Sequence, residues 1–192
     1  MRFSQAFTLT SLLTASAADP ALAGPLVLAA GQTPAESCAR QVAATDTADL
    51  RLKRLCDEGA AQAGLSDHDR AAALANAGTV RLRLGELDAA TVRFEQARTL
   101  SPELEDIAVS QSAALIRLGR YGEAVDVLHQ PGRISEDLRP AALYNRAVAS
   151  LAMDAPGPAR VDLEEALRLR PDYAAAASLL GEIEQALALQ QG

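Results

Sequence analysis

Residues 71–104 decide the fold, and they read AAALANAGTVRLRLGELDAATVRFEQARTLSPEL. Apolar residues recur at helical spacing over Ala71–Leu84 and again over Asp88–Leu100. The tripeptide Gly85-Glu86-Leu87 turns the chain between these two runs. Ser101-Pro102 ends the second run because proline disfavours helical geometry in its predecessor. The stretch therefore predicts two antiparallel helices joined by a short turn.

A repeat with a period close to 34 residues runs through the chain. The tiny residues Gly78, Ser112, Ala147 and Gly181 follow one another at spacings of 34, 35 and 34. The same offsets relate four further sets, namely Leu84, Leu118 and Met153; Gly85, Gly119 and Asp154; Ala90, Ala124 and Ala159; and Phe94, Leu128 and Leu163. A fixed period of this length is typical of solenoids. An alanine-rich coiled coil is the alternative, and it is disfavoured because no heptad is sustained across the turns.

Short motifs of the first and third units carry a family resemblance. They are Asn76-Ala77-Gly78, Gly85–Ala90, Phe94–Ala97 and Leu100-Ser101-Pro102, and then Leu143-Tyr144-Asn145, Ala166-Leu167 and Leu169-Arg170-Pro171. This pattern resembles the tetratricopeptide repeat (TPR) family, in a secreted bacterial form. The resemblance implies an all-α fold, a short α-α superhelix of about three helix-turn-helix repeats. A degenerate amino-terminal hairpin would precede the repeats, and a carboxyl-terminal capping helix would follow them.

The register predicts where each unit begins and ends. Unit two carries Pro131 where the family has alanine, so we expect its second helix to stop near Gln130. Gly132–Asp137 then forms a longer connection that holds the extra residue, and the cap is expected over Ala174–Leu189. The expected segments are a degenerate hairpin at 37–70, TPR units at 71–104, 105–139 and 140–173, and a cap at 174–192.

The first 23 residues have the pattern of a secretory signal peptide. Arg2 gives a positive start, an apolar run over 6–15 is too short to span a bilayer, and cleavage is expected after Ala23 or Ala17. Residues 24–36 carry two prolines without a helical period and are interpreted as a mobile leader. The alternative is a disordered or buried apolar amino terminus. We therefore expect a secreted protein, with the periplasm as its compartment.

Composition narrows the class of protein. The chain has 192 residues, 42 of them alanine, with 3% aromatic residues and no tryptophan, and this favours closely packed helices over a β-sandwich or barrel. The net charge of −7 argues against a nucleic-acid partner or a polybasic membrane surface. No membrane span is expected once the signal peptide has been removed.

The two cysteines are expected to form a disulfide. Cys38 and Cys56 lie on predicted helices, Glu36–Ala44 and Ala48–Ala63, and each is nine residues from Thr47 in the turn. Antiparallel helices place such residues at the same height, and an exported protein meets an oxidising compartment. The alternative is two unpaired small residues. A redox role is less favoured because the spacing is not that of a CxxC motif.

The sequence offers no arrangement that indicates catalysis. It contains no phosphate-binding glycine loop, no nucleophile elbow and no metalloprotease helix. His68 and His129 are far apart in the sequence and are expected at the surface, so no metal site is expected. We expect no catalytic residues and no cofactor, and therefore a protein that is not an enzyme.

The family resemblance implies a concave groove lined by the first helix of each unit, holding a peptide or a partner helix. Carried over position by position, it assigns Ala75, Thr79, Leu82 and Arg83; Val109, Ala113, Ile116 and Arg117; and Tyr144, Val148, Leu151 and Ala152. A peptide's terminal carboxylate is disfavoured as the ligand, because Ala75 and Thr79 stand where that branch of the family needs lysine and asparagine. Tyr144 is the one aromatic residue expected to face the groove.

The expected partner is a protein segment with an apolar stripe and a carboxylate. The groove floor is apolar, and Arg83 and Arg117 would lie along one edge to receive that carboxylate. The alternative for both arginines is a solvated surface position with a buried stem. The rival interpretation of the whole protein is a self-associating structural module, a homodimer with no free groove.

Overall fold

The computed structural model describes residues 33–191, and every regular element within that range is helical. The helices are α1 (Pro34–Ala44), α2 (Leu50–Ala61), α3 (Asp67–Arg83), α4 (Leu87–Leu100), α5 (Ile107–Arg117), α6 (Tyr121–Val127), α7 (Arg139–Ala152), α8 (Pro156–Leu169) and α9 (Ala174–Gln191), with a 3₁₀ turn at Pro131–Arg133. The predicted signal peptide and its cleavage sites lie outside the described residues.

The helices pack as successive antiparallel pairs. Within a pair, α1 contacts α2, α3 contacts α4, and α7 contacts α8. Between units, the second helices α2, α4, α6 and α8 each contact the first helix of the next unit. The first helices also touch their neighbours, α1 with α3, α3 with α5, and α5 with α7. We call the row of α3, α5 and α7 the inner row. The predicted all-α solenoid is therefore confirmed.

The tiny residue of the first unit lets its two helices approach closely. A Cβ atom added at Gly78 would lie 2.7 Å from Cε1 of Phe94, which is fully buried. Ser112 and Leu128 occupy the same two positions in the second unit, and Ala147 and Leu163 in the third, all of them buried. The 34-residue register thus places a small and a large buried residue at matching positions of each repeat, and in the first unit these two residues are in contact.

The turn between paired helices repeats with the same register. Gly85 and Gly119 have φ angles of +79° and +74°, and Asp154 is the one non-glycine residue with positive φ in the described chain, at 60°. The amide of Glu86 donates to the Arg81 carbonyl at 2.9 Å, and equivalent 2.9 Å bonds join Arg120 to Leu115 and Ala155 to Ser150. These are Schellman caps, which need a left-handed residue after the helix.

Two helices, α1 and α3, begin earlier than predicted, because a capping residue precedes each apolar run. α3 begins at Asp67, four residues before Ala71, because the Ser66 hydroxyl accepts from the amide of Asp69. His68 therefore lies in the first turn of α3. α1 begins at Pro34, within the expected leader, because Thr33 and Glu36 form a capping box.

The second unit ends earlier than expected. α6 stops at Val127, three residues before Gln130. Leu128 keeps its place in the core, and the chain after it forms the 3₁₀ turn at Pro131–Arg133. Ile134 is 1% exposed and packs in the same cluster as Leu128. The connection therefore contributes to the core of the second unit.

The amino-terminal hairpin is joined by the predicted disulfide. Cys38 on α1 is bonded to Cys56 on α2, and both residues are buried. Gly59 allows the same close crossing, since a Cβ there would lie 2.7 Å from the Cα of Ala35. α2 runs over Leu50–Ala61, shorter at both ends than predicted, because Asp49 caps its start.

Paired charges attach this hairpin to the first repeat. Arg81 on α3 donates to both carboxylate oxygens of Asp57 on α2, at 2.6 and 2.8 Å. Arg70 donates to the carbonyls of Ala60 and Gln62 at the end of α2, which satisfies groups that the helix leaves unpaired. The Arg81 side chain is only 8% exposed, so the charge-assisted hydrogen bonds from its Nη2 atom to Asp57 are stronger than a surface ion pair.

α9 keeps the small residue of the repeat at Gly181, and no second helix packs against that position within the described residues. A Cβ added at Gly181 meets nothing within 4 Å, whereas the same atom at Gly78 overlaps Phe94. Ala176, Leu179 and Ile183 form the buried face of α9. α9 thus resembles the first helix of a fourth unit and leaves one face open.

We predict opposite effects for the same substitution at these two glycines. Gly181→Ala should stabilise the fold by up to about 1 kcal/mol, the helix advantage of alanine. Gly78→Ala should destabilise it, because overpacking against buried Phe94 costs about 1–3 kcal/mol. Urea unfolding followed by far-UV circular dichroism measures both. Equal effects at the two sites would show that the Phe94 contact does not limit the helix separation.

We predict that the disulfide stabilises the amino-terminal end in particular. Replacing Cys38 and Cys56 by serine removes a cross-link across 18 residues, worth roughly 3 kcal/mol on the chain-entropy estimate. Hydrogen exchange should rise in α1 and α2 and stay unchanged in α7 and α8, because solenoid repeats contact only their neighbours. Dithiothreitol on the native chain should reproduce the effect and should leave the serine variant unaltered. Uniform loss of protection along the chain would contradict the local role.

Candidate partner-binding groove

The predicted groove residues all lie on the inner row, but they differ in how far solvent reaches them. Thr79, Leu82, Val109 and Ala113 are buried. Ile116, Tyr144, Val148, Leu151 and Ala152 are partly exposed, and Arg117 is exposed. The accessible residues therefore belong to the carboxyl end of α5 and to α7.

On α3 the predicted groove residues are part of the packed interior. The Thr79 hydroxyl donates to the carbonyl of Ala75 at 3.0 Å, a bond within the helix. Ala75 and Leu82 are 6% and 1% exposed. These side chains provide an apolar, uncharged floor.

Arg83 holds the amino-terminal hairpin against the first repeat. Its Nη1 atom donates to the carbonyls of Val42 and Thr45 at 3.1 and 2.7 Å, at the carboxyl end of α1. Its side chain is only 10% exposed, and Asp46 lies 3.9 Å away. A helix end carries partial negative charge, which a buried guanidinium stabilises. Arg83 is therefore a structural contact between units.

Arg117 makes the matching contact one unit later. Its Nη1 atom donates to the carbonyl of Leu82 near the end of α3, at 2.7 Å. Arg83 and Arg117 stand in the same register position, so each binds the end of the preceding first helix. Arg117 differs from Arg83 in being exposed, so its guanidinium can also meet a ligand. Sequence analysis missed this structural role, although the 34-residue spacing was the available signal.

A pair of tyrosines lies where α7 meets the last helix. The rings of Tyr144 and Tyr173 are 5.3 Å apart, and Arg170 lies 5.1 Å from the Tyr173 ring centre. Burial raises the pKa of Tyr173 to about 12, with Tyr144 adding to the shift and Arg170 opposing it. Burial, and then the charge of Glu182, raises the pKa of Tyr144. Both hydroxyls stay protonated at neutral pH and can act as hydrogen-bond donors.

Buried polar bonds hold α7 in place behind Tyr144. The side-chain amide of Asn145 donates to the Val109 carbonyl at 3.3 Å and to the Ser112 hydroxyl at 3.1 Å. Arg146 donates to both carboxylate oxygens of Asp162 on α8, which raises the pKa of the arginine. These contacts fix the rotation of α7, and so they determine that Tyr144 and Val148 face outward.

The described residues contain no arrangement suited to metal binding. Within 33–191 no three His, Cys, Asp or Glu side chains group together as metal ligands. His68 is exposed, with Nδ1 3.6 Å from Glu103, and His129 is exposed beside the Asp126 carbonyl. None of the helices in that range is both long and apolar enough to cross a membrane.

Comparison with known proteins supports the fold. Protein-family models give no match to the chain, and no curated protein matches it. The NMR structure of the first TPR domain of the human RPAP3 protein is similar, with a TM-score of 0.58 and 23% sequence identity. The similarity covers 63% of this chain and 94% of the RPAP3 domain. The described residues therefore adopt a TPR-like fold.

Proposed function

We propose that this protein is an exported, non-enzymatic interaction module that binds a peptide or helix along its inner row. The observation that carries the proposal is that the inner row of this TPR-like fold has partly exposed apolar side chains and an exposed arginine. Tyr144, Val148 and Leu151 belong to one apolar cluster on α7, and Ile116 precedes the exposed Arg117 at the end of α5. An apolar surface with one cation suits recognition of a segment and offers nothing for catalysis.

The chemistry of the surface defines the ligand. The ligand would carry apolar residues along one face of a helix, and these would cover Val148 and Leu151. A carboxylate of the same ligand would bind Arg117. Tyr144 and Tyr173 add a rigid aromatic corner of the kind that contributes strongly to protein interfaces. Since Arg83 binds the carbonyls at the carboxyl end of α1, we assign the ligand's carboxylate to Arg117 alone.

Export is the second part of the proposal. The apolar run and small-residue cleavage sites of residues 1–23 support it, as does the Cys38–Cys56 disulfide, since such bonds persist in oxidising compartments. The periplasm is the expected compartment. A protein secreted there would meet envelope proteins as its partners.

Self-association is the second candidate, and one feature of α9 favours it. Gly181 keeps an open position where a partner helix could approach, and Leu189 is 85% exposed. A second copy packed on α9 would extend the solenoid without using the inner row. A protein that works in this way would bind a second copy of itself and no separate ligand.

A paired capture experiment tests the groove. The immobilised chain and its Arg117→Glu, Tyr144→Ala variant are incubated with envelope extract, and bound proteins are quantified by mass spectrometry. We expect the variant to lose at least about tenfold in binding, since hot-spot truncations cost about 2 kcal/mol. The matched control is Arg160→Glu with Val161→Ala on the exposed side of α8, which should bind as the native chain does. Unchanged partners on the groove variant, with a native circular dichroism spectrum, would disprove the assignment.

Light scattering separates the two candidates. The proposed function predicts the mass of one chain at micromolar concentration. The rival predicts a dimer that survives the Arg117→Glu, Tyr144→Ala change and is lost with Gly181→Leu, which fills the open position on α9. A dimer lost with the groove variant would contradict the proposed function and favour self-association through the groove instead of through α9, because it would place a second copy in the groove.

A further inference from the structure

The groove register of the repeat continues from α7 onto α9. Three groove positions of α7 recur 34 residues later, as Tyr144 and Ser178, Val148 and Glu182, and Leu151 and Gln185. The buried residues of α9 belong to the same apolar cluster as residues of α7 and α8. α9 therefore stands where the first helix of a fourth unit would stand, and its front extends the inner row.

The front of α9 is polar where the front of α7 is apolar. Ser178, Glu182 and Gln185 are all exposed, and the Ser178 hydroxyl lies 3.5 Å from a carboxylate oxygen of Glu182. Burial and then the charge of Glu182 raise the pKa of Tyr144, so this carboxylate lies on the side of α9 that is near the Tyr144 ring. The apolar surface on α7 is therefore bordered by a negative charge.

The charge of Glu182 is not neutralised by a neighbouring cation of the described chain. Glu123 and Glu165 each form an ion pair with an arginine three residues away, whereas Glu182 has no ion pair among residues 33–191. An unpaired carboxylate beside an apolar surface attracts a cation from a ligand and repels an anion.

The alternative role for Glu182 is to keep the end of the solenoid soluble, as the polar face of a terminal cap does. Leu189 argues against that role. It follows Glu182 by seven residues, about two helical turns, so the two side chains share one face of α9. Leu189 is 85% exposed. A face that presents a large apolar side chain beside a carboxylate resembles a binding surface more than a solubilising one.

Arg117 and Glu182 lie on opposite sides of the accessible apolar surface. Arg117 is exposed at the end of α5, Tyr144 and Val148 are partly exposed on α7, and Glu182 is exposed on α9. Neighbouring helix axes lie about 8–10 Å apart, so α5 and α9 are separated by roughly 16–20 Å. A ligand that crosses the inner row from α5 meets a cation, an apolar strip and an anion in that order.

We propose that Glu182 binds a basic side chain of the ligand, at the opposite end of its apolar stripe from the carboxylate that Arg117 binds. The partner is a protein segment whose apolar residues lie between an acidic and a basic residue. The two charges are about twelve residues apart in a helical ligand, or five to six in an extended one. This inference rests on the proposed function, since it specifies the ligand of the same groove.

Peptide selection tests the proposal. Random peptides of about 18 residues, long enough to hold both charges on a helix, are displayed on phage and selected on the immobilised full chain. We expect the enriched peptides to carry an acidic and a basic residue on either side of apolar residues. On Glu182→Lys the preference for a basic residue should disappear. A selected peptide should bind this variant about fivefold more weakly in fluorescence anisotropy, the upper range for an exposed ion pair. Replacing its basic residue by glutamate should restore that binding.

Glu184→Lys is the matched control, because Glu184 is exposed on the same helix but lies on a different face. It should keep both the basic preference and the affinity. Circular dichroism checks each variant for folding, and Glu182→Gln serves if Glu182→Lys unfolds. Enriched peptides without a basic residue, or a basic preference that survives in the Glu182 variant, would overturn this inference and leave the proposed function standing. No enrichment, or equal binding to the Arg117→Glu, Tyr144→Ala variant, would refute the proposed function and this inference with it.

Discussion

The contact on which the rest of the structure depends is the small residue that faces a large one within each helix pair. At Gly78 there is no room for a methyl group against Phe94, and the matching positions of the next two units are also a buried small and a buried large residue, Ser112 with Leu128 and Ala147 with Leu163. This contact sets the distance between paired helices, and the left-handed residue at the turn sets their direction. Since every unit repeats both constraints, the first helices line up in one row and the second helices in another.

The carboxyl ends of the first helices are bound by arginine side chains of the next unit. Arg83 and Arg117 each bind backbone carbonyls at the carboxyl end of the preceding first helix, so residues that look suited to a ligand also join the units. The amino-terminal hairpin, closed by its disulfide and bound by Arg81 to Asp57, supports α3 from one side. The inner row is therefore divided into a buried half at α3 and an accessible half at α7.

Much of the fold could be predicted because it follows from local periodicity. The turn positions Gly85, Gly119 and Asp154 were expected from their spacing, and each has positive φ. Helix boundaries were less predictable, since α3 starts at a serine cap that precedes its apolar run by a turn. α6 ends at Val127, and Leu128 and Ile134 then pack into one buried cluster from the irregular connection that follows. Such choices depend on contacts between units.

The family resemblance implied the positions on the inner row, and the sequence by itself determined the helix pairs, their register and the cysteine pairing. It could do so because these features depend on spacing along the chain and on residue size. Only the tertiary structure decided which of those positions solvent can reach. Thr79 and Tyr144 are equally plausible groove residues by register, yet one is buried and the other partly exposed. Exposure depends on what packs against a helix from elsewhere in the chain, and periodicity carries no information about that.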